Sequence, residues 1–197
     1  MKKTMILAAT ILFAFGAKAQ TEAHFGIKGG MNASELHNAN GGAKSDTKIG
    51  FHAGLLAHIH GHHSNWAIQP ELLYSLEGAK QTLSGIKTNT NLSYLNVPVL
   101  VQYMFDNGFR IEAGPQVGFL MSAKQKTDNT SVDVKNAYKT TAFSIPVGVG
   151  YLTRSGLGFD ARYSFGLSDL TDGGSKVRGN NFQFGLFYQF SDPKIKK

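Results

Sequence analysis

The strongest constraint on the fold is a strict two-residue alternation between Leu157 and Ser168. One set of alternate residues is apolar or aromatic throughout: Leu157, Phe159, Ala161, Tyr163, Phe165 and Leu167. The residues between them are Gly158, Asp160, Arg162, Ser164, Gly166 and Ser168. Because successive side chains of a β-strand point to opposite faces, this segment is predicted to be a strand with one apolar face. A helical period of 3.6 residues does not fit it.

The same alternation recurs along the chain and predicts eight strands. They are Ala23–Ser34, Lys48–His60, Trp66–Glu77, Leu92–Phe105, Phe109–Ser122, Thr141–Leu152, Leu157–Ser168 and Asn181–Phe190. Connections between them alternate in length. The long ones are 35–47, 78–91, 123–140 and 169–180, and the short ones are 61–65, 106–108 and 153–156. This order is typical of an all-β, eight-stranded antiparallel up-and-down barrel, with the long loops at one end and the short turns at the other.

Alternation alone leaves two kinds of barrel open. In a soluble secreted ligand-binding barrel of lipocalin type, the apolar face lines a cavity. In a transmembrane barrel of the outer membrane, the apolar face meets lipid and the polar face fills the lumen. The distribution of the charged residues and of the aromatic residues favours the membrane barrel.

The polar face carries the charged groups that a narrow barrel interior requires. We predict a structural polar network in the lumen from Lys28, His52, Glu71, Arg110, Glu112, Asp160 and Arg162. Burial of such charges requires that they pair with one another. Glycines on the same strands are expected to make room for the long side chains: Gly26, Gly50, Gly114, Gly118, Gly148 and Gly166.

Aromatic residues fall near both ends of the predicted strands, as in the interfacial belts of membrane barrels. Trp66, Phe105, Phe109, Tyr151 and Phe190 are near the short turns. Phe51, Tyr74, Phe119, Phe143 and Phe182 are toward the long loops. Four prolines within strands, Pro70, Pro98, Pro115 and Pro146, predict local bulges, because proline removes a hydrogen bond from the ladder.

The N-terminus has the pattern of a signal peptide. Lys2 and Lys3 precede an apolar run from Met5 to Gly16, and Ala17-Lys18-Ala19 matches a cleavage site. We therefore expect residues 1–19 to be a cleaved signal peptide, 20–190 the outer-membrane barrel domain and 191–197 a short basic tail. The formal charge of +7 on the whole chain falls to +2 for the barrel once the charged residues of both ends are set aside, which are three lysines in 1–19 and three lysines and Asp192 in 191–197. The remaining basic residues are scattered, so no nucleic-acid partner is predicted.

Seven stretches, in order, resemble the PorT-like outer-membrane β-barrel family of Bacteroides-type Gram-negative bacteria. They are FGIKGGMNAS (Phe25–Ser34), GFHAGLLAHI (Gly50–Ile59), IQPELLYSLEGAK (Ile68–Lys80), YLNVPVLVQYMF (Tyr94–Phe105), IEAGPQVGFLMSAK (Ile111–Lys124), GLGFDARYSFGLSDL (Gly156–Leu170) and FQFGLFYQF (Phe182–Phe190). The resemblance implies an eight-stranded barrel in the cell outer membrane. It implies no single function, since a few members serve in secretion or gliding machinery, and it supplies no catalytic residue.

Histidines near the first short turn are the best candidate for a metal site. His58, His60, His62 and His63 lie within six residues, and histidines two apart on a strand point the same way. No carboxylate lies in this stretch, so a polar turn is the favoured interpretation and no metal or cofactor is predicted. Serine and histidine residues occur, but no spacing indicates a catalytic set, and the protein is not expected to be an enzyme.

The sequence therefore predicts a non-enzymatic envelope protein with a structural or interaction role, a packed polar lumen and four long extracellular loops. Expected partners are outer-membrane lipid, lipopolysaccharide phosphates at basic loop residues, and the outer-membrane assembly machinery. The ending Phe187-Tyr188-Gln189-Phe190 resembles the aromatic terminal signal of that machinery, although seven residues follow it here. The sequence does not identify any other protein partner. A soluble ligand-binding barrel, a small outer-membrane channel and a component of secretion machinery remain as alternatives.

Overall fold

The computed structural model of the protein describes residues 21–38, 45–83, 86–127, 130–171 and 177–190. The proposed signal peptide and the basic tail lie outside the described residues. The described part contains ten strands and a single turn of 3-10 helix at Lys135–Ala137. The strands are β1 (Thr21–Asn38), β2 (Lys48–Gly61), β3 (Trp66–Leu83), β4 (Ile86–Met104), β5 (Phe109–Ala113), β6 (Gln116–Thr127), β7 (Thr130–Asp133), β8 (Thr141–Leu152), β9 (Leu157–Gly166) and β10 (Val177–Gln189).

The strands close into an antiparallel ring. Its order is β3-β2-β1-β10-β9-β8, then β5 and β6, then β4, which pairs with β3 again. β5 and β6 are two parts of one wall strand, because both pair with β4 on one side and β8 on the other. β7 pairs with β6 outside the ring. The wall thus has eight strands, and the predicted fold class is confirmed.

Several strands are longer than predicted at the end away from the short turns. β3 continues to Leu83 and β4 begins at Ile86, so most of the expected loop 78–91 is a paired hairpin. Lys124–Thr127, expected in a loop, belongs to β6, and residues 177–180 belong to β10. Backbone pairing continues in these extensions, although the apolar alternation has stopped. Apolar alternation in the sequence reflects contact of the side chains with apolar surroundings, whereas the hydrogen bonds between strands need only backbone N–H and C=O groups.

The four prolines do not produce the expected bulges. Pairing is interrupted beside Pro70, Pro98 and Pro115, yet the register is the same on both sides of each interruption. At the break between β5 and β6, the Val99 amide donates to the Pro115 carbonyl at 2.9 Å. The recorded shift of register lies instead between Ser93 and Tyr94 on β4, where β6 carries one additional residue. Proline therefore removes a hydrogen bond from the ladder without requiring an extra residue in the strand.

The apolar face of the wall points outward. On β10, Phe184 is 52% exposed, whereas its neighbour Gln183 is 1% exposed. The same contrast holds around the ring, with large exposed apolar side chains such as Phe25, Leu55, Val147 and Phe159. An apolar surface this extensive is unsuited to water and is that of a lipid-facing wall. The lipocalin alternative requires the opposite orientation and is contradicted.

Aromatic rings of the wall form a connected group near the short turns 62–65, 105–108 and 153–156. Trp66, Tyr103, Phe105 and Phe109 follow one another with ring centroids 5.0–5.6 Å apart. Such rings suit the boundary between lipid and water. Among the described residues, no helix is long and apolar enough to cross a membrane.

Candidate functional site

The inward-pointing residues of the wall bring the chain's buried charges together in the lumen. The seven residues expected there, Lys28, His52, Glu71, Arg110, Glu112, Asp160 and Arg162, are each no more than 4% exposed. They come from β1, β2, β3, β5 and β9. They converge because each occupies the polar side of its strand's alternation.

Arg162 joins opposite sides of the barrel. Its Nη1 and Nη2 donate to the two carboxylate oxygens of Glu71 at 2.6 and 2.7 Å. β9 and β3 are four strands apart by either route around the ring. This bidentate pair therefore crosses the lumen, and the planar guanidinium fork matches the carboxylate geometry.

Two further carboxylates surround the same guanidinium. Arg162 Nε donates to Glu112 on β5, and Nη2 lies 3.6 Å from Asp160 Oδ2. Lys28 Nζ on β1 donates to that Asp160 oxygen at 2.6 Å. With Arg110, these residues form a layer of three cations and three carboxylates (Lys28, Arg110, Arg162; Glu71, Glu112, Asp160), which we call the ionic layer. Its formal charges balance, as burial demands.

Amide side chains add hydrogen bonds to the ionic layer. Gln69 Nε2 donates to Glu71 at 2.7 Å, and Gln102 Nε2 donates to Glu112 at 2.6 Å. Arg110 Nη1 donates to Gln102 Oε1 at 3.4 Å, and its guanidinium lies over the Phe187 ring. The predicted network does not include these glutamines, although they occupy inward alternate positions, as the charged residues do.

His52 belongs to a neighbouring polar chain rather than to the ionic layer. Its Nδ1 lies 2.7 Å from Asn32 Oδ1, and Asn32 Nδ2 donates to Ser75 Oγ at 2.8 Å. Ser75 Oγ and Asn96 Nδ2 then donate to Glu77 Oε1 at 2.8 and 2.9 Å. This series of hydrogen bonds extends the polar filling of the lumen toward the end of the barrel away from the short turns.

Glycines make room for the ionic layer, but mostly not those expected. A side chain at Gly148 would place its Cβ 2.7 Å from Arg162 Cγ, and one at Gly185 would lie 2.8 Å from Lys28 Cε. At Gly26, Gly50, Gly114 and Gly166, the nearest atom is a carbonyl oxygen of a neighbouring strand, and at Gly118 it is the Asn96 amide oxygen. Of the six expected glycines, Gly148 alone has a charged side chain among its three nearest neighbours.

A cavity of about 590 Å³ opens at the short-turn end of the lumen. Arg110 and Gln189 form part of its lining, together with His58, His60, His62 and His63. β1 adds Glu22 and His24 to this group, because Glu22 pairs with His60 and His24 with His58 across the β1–β2 ladder. The carboxylate that is missing from the local sequence of these histidines is thus supplied by the neighbouring strand.

A closed antiparallel ring with an apolar outer surface and a charged interior defines an outer-membrane β-barrel. The chain belongs to the outer membrane protein beta-barrel domain family, whose family model matches residues 18–172.

Solved structures agree on the fold. Neisserial surface protein A (NspA) superposes with a TM-score of 0.61 at 13% identity, over 86% of this chain and 99% of that chain. Ail, the attachment invasion locus protein of Yersinia pestis, gives a TM-score of 0.53 at 18% identity over the same shares, both alone and with the heparin analogue sucrose octasulfate. No curated protein sequence matches the chain. At these identities the likeness concerns the fold, and outer-membrane location follows from the family and the outward apolar face.

Proposed function

We propose that this protein is a non-conducting, non-enzymatic barrel of the outer membrane, with a structural or interaction role in the cell envelope. The observation that carries the proposal is the Arg162–Glu71 pair, which crosses the lumen with both of its hydrogen bonds at 2.6–2.7 Å. An eight-stranded barrel is just wide enough to be filled by side chains. The ionic layer fills the lumen at one level, which supports the absence of a continuous water-filled path.

The contacts of Glu71 and Glu112 support a structural rather than a chemical use of these two carboxylates. Glu71 accepts from Arg162 and Gln69, and Glu112 accepts from Arg162 and Gln102. A general base or nucleophile needs a lone pair directed at a substrate. Here the recorded oxygens face arginine and amide donors inside the wall, which supports a structural role.

Lipid and the assembly machinery are the partners that the surface supports. The exposed apolar band supports contact with acyl chains, and the 60% exposure of Phe190 after the last strand supports its recognition during assembly. Exposed lysines at the opposite end of the barrel, including Lys80, Lys124, Lys126 and Lys135, are available to lipopolysaccharide phosphates. We place that end, with its four longer connections, outside the cell. We also propose that the protein belongs to the PorT-like branch of the family and that its signal peptide is cleaved after Ala19.

Solute uptake into liposomes tests the closed lumen. The purified protein in liposomes is expected to leave the uptake of small sugars at the level of protein-free liposomes. A porin in the same preparation serves as the positive control. A variant that removes the crossing pair, Glu71→Ala with Arg162→Ala, is expected to leak if it folds. Uptake through the unmodified protein would contradict the proposal and favour the small-channel alternative.

A further inference from the structure

The histidine-rich rim of the short-turn cavity has a geometry that the ionic layer does not explain. Glu22 and His24 on β1 and His60 on β2 point into the cavity. One ligand atom from each residue lies within 4.8 Å of the others. His60 Nε2 is 3.4 Å from His24 Nε2. Glu22 Oε2 lies 3.8 Å from His24 Nε2 and 3.9 Å from His60 Nε2. Three potential ligand atoms thus form a nearly equilateral triangle.

That triangle has the dimensions of a metal site. Zinc–nitrogen and zinc–oxygen bonds of about 2.0–2.2 Å at the tetrahedral angle place neighbouring ligand atoms roughly 3.3–3.6 Å apart. Contraction of the observed triangle by a few tenths of an ångström reaches this range. Two imidazoles and one carboxylate are a donor set that binds zinc and leaves a fourth position open.

His60 is also held in the tautomer that a metal requires. Its Nδ1 lies 3.2 Å from the Gly61 carbonyl oxygen, which can only accept a hydrogen bond. The proton of the neutral ring is therefore on Nδ1, and the lone pair is on Nε2, the atom directed at His24 and Glu22. A hydrogen bond from the other ring nitrogen to a carbonyl is the usual outer support of a metal-binding histidine.

The surroundings supply a further group and an entry path. His62 Nδ1, from the short turn, lies 3.5 Å from Glu22 Oε1 and orients the carboxylate. Stacked rings of His24 and His60, with centroids 5.4 Å apart, keep the two imidazoles aligned. The cavity opens at the short-turn end, which faces the periplasm in outer-membrane barrels, so an ion would arrive from that side.

We propose that Glu22, His24 and His60 form a binding site for a divalent transition-metal ion at the short-turn end of the barrel. This proposal does not rest on a closed lumen, because none of the three residues belongs to the ionic layer, although Arg110 lines the same cavity. Neutral imidazole and carboxylate ligands favour zinc, copper or nickel over magnesium or calcium.

Calorimetric titration of the purified, tag-free protein with zinc chloride tests the proposal. We expect one zinc per chain in the unmodified protein. The single variants Glu22→Gln, His24→Gln and His60→Gln are expected to weaken binding by roughly tenfold or more, since even outer-sphere changes cost 10–100-fold. His37→Gln is the matched control, because His37 lies toward the far end of the same strand, β1, and is expected to leave binding unchanged.

Cobalt provides a readout of geometry. Cobalt(II) in the unmodified protein is expected to show the intense visible absorption of tetrahedral coordination, and His60→Gln is expected to lose it. Folding of each variant is checked by the mobility difference between boiled and unboiled samples on a gel. Glu22→Gln, which retains the shape of the side chain, keeps the test available if a histidine variant does not fold. Absence of zinc binding, or equal binding by the folded variants and the unmodified protein, would overturn the proposal.

Discussion

At the scale of single residues, Arg162 determines how the barrel interior is filled. Its guanidinium contacts three carboxylates, those of Glu71, Glu112 and Asp160. Lysine would present one compact ammonium and could not reproduce a bidentate bond together with a separate bond from Nε. The site therefore requires arginine, and its loss would leave acidic groups buried without their main partner.

Replacement of Arg162 by methionine is expected to destabilise the protein strongly. Removal of one partner of a buried ion pair costs about 3–5 kcal/mol, because the remaining charge stays desolvated. Unfolding by urea in lipid vesicles measures the effect. The fluorescence of Trp66, the single tryptophan of the chain, provides the signal, since its ring lies on the outer surface at the short-turn end.

A double-mutant cycle distinguishes pairing from simple loss of packing. Adding Glu71→Met to Arg162→Met removes one orphaned carboxylate and is expected to recover part of the lost stability. If Arg162→Met alone changes the free energy of unfolding by less than about 0.5 kcal/mol, the value typical of an uninvolved surface position, the central role of Arg162 is wrong.

At the scale of strands, the outward apolar face can be tested by introducing arginine at two depths in the membrane. Phe184 lies near the middle of β10, opposite Ala161 on β9, whereas Leu157 is the first residue of β9, beside a short turn. Arginine at the midplane of a membrane barrel costs about 2–4 kcal/mol, falling to about 0–1 near the interface. Phe184→Arg is therefore expected to reduce stability in vesicles considerably more than Leu157→Arg does. Equal effects would contradict the lipid-facing assignment of the β9–β10 surface.

Strands and faces were predictable where the chain meets two different environments. β9 alternates strictly because lipid lies on one side and the lumen on the other, and β8 was predicted with its observed ends, Thr141 and Leu152. The extensions of β3 and β6 were not predictable, because a strand end such as Lys80–Leu83 carries no apolar alternation. Nor could the effect of Pro98 be predicted, since the register depends on the partner strands.

The luminal site was predictable in membership but not in pairing. Alternation placed Arg162 and Glu71 on inward faces, yet nothing local indicates that β3 and β9 lie opposite each other. That relation depends on closure of the ring. The triangle of Glu22, His24 and His60 was missed for a similar reason, because 36 residues separate the two histidines and only the β1–β2 pairing brings them together.

At the scale of the whole molecule, the barrel has an ionic layer in its middle and two different ends. The short-turn end holds the histidine-lined cavity of about 590 Å³. The far end carries the extended hairpins, and the space beneath them that is lined by Glu77 and Asn96 is much smaller, about 40 Å³. The ionic layer lies between the two, so the account predicts an envelope protein that presents separate surfaces to the two sides of the membrane without connecting them.

Single-channel recording in a planar lipid bilayer tests this central claim most directly. The purified protein, inserted and shown to be folded, is expected to give no current steps above the bare bilayer, because we propose that the Arg162–Glu71 pair closes the lumen. Steady, reproducible single-channel steps from the unmodified protein would contradict the account and identify a channel instead.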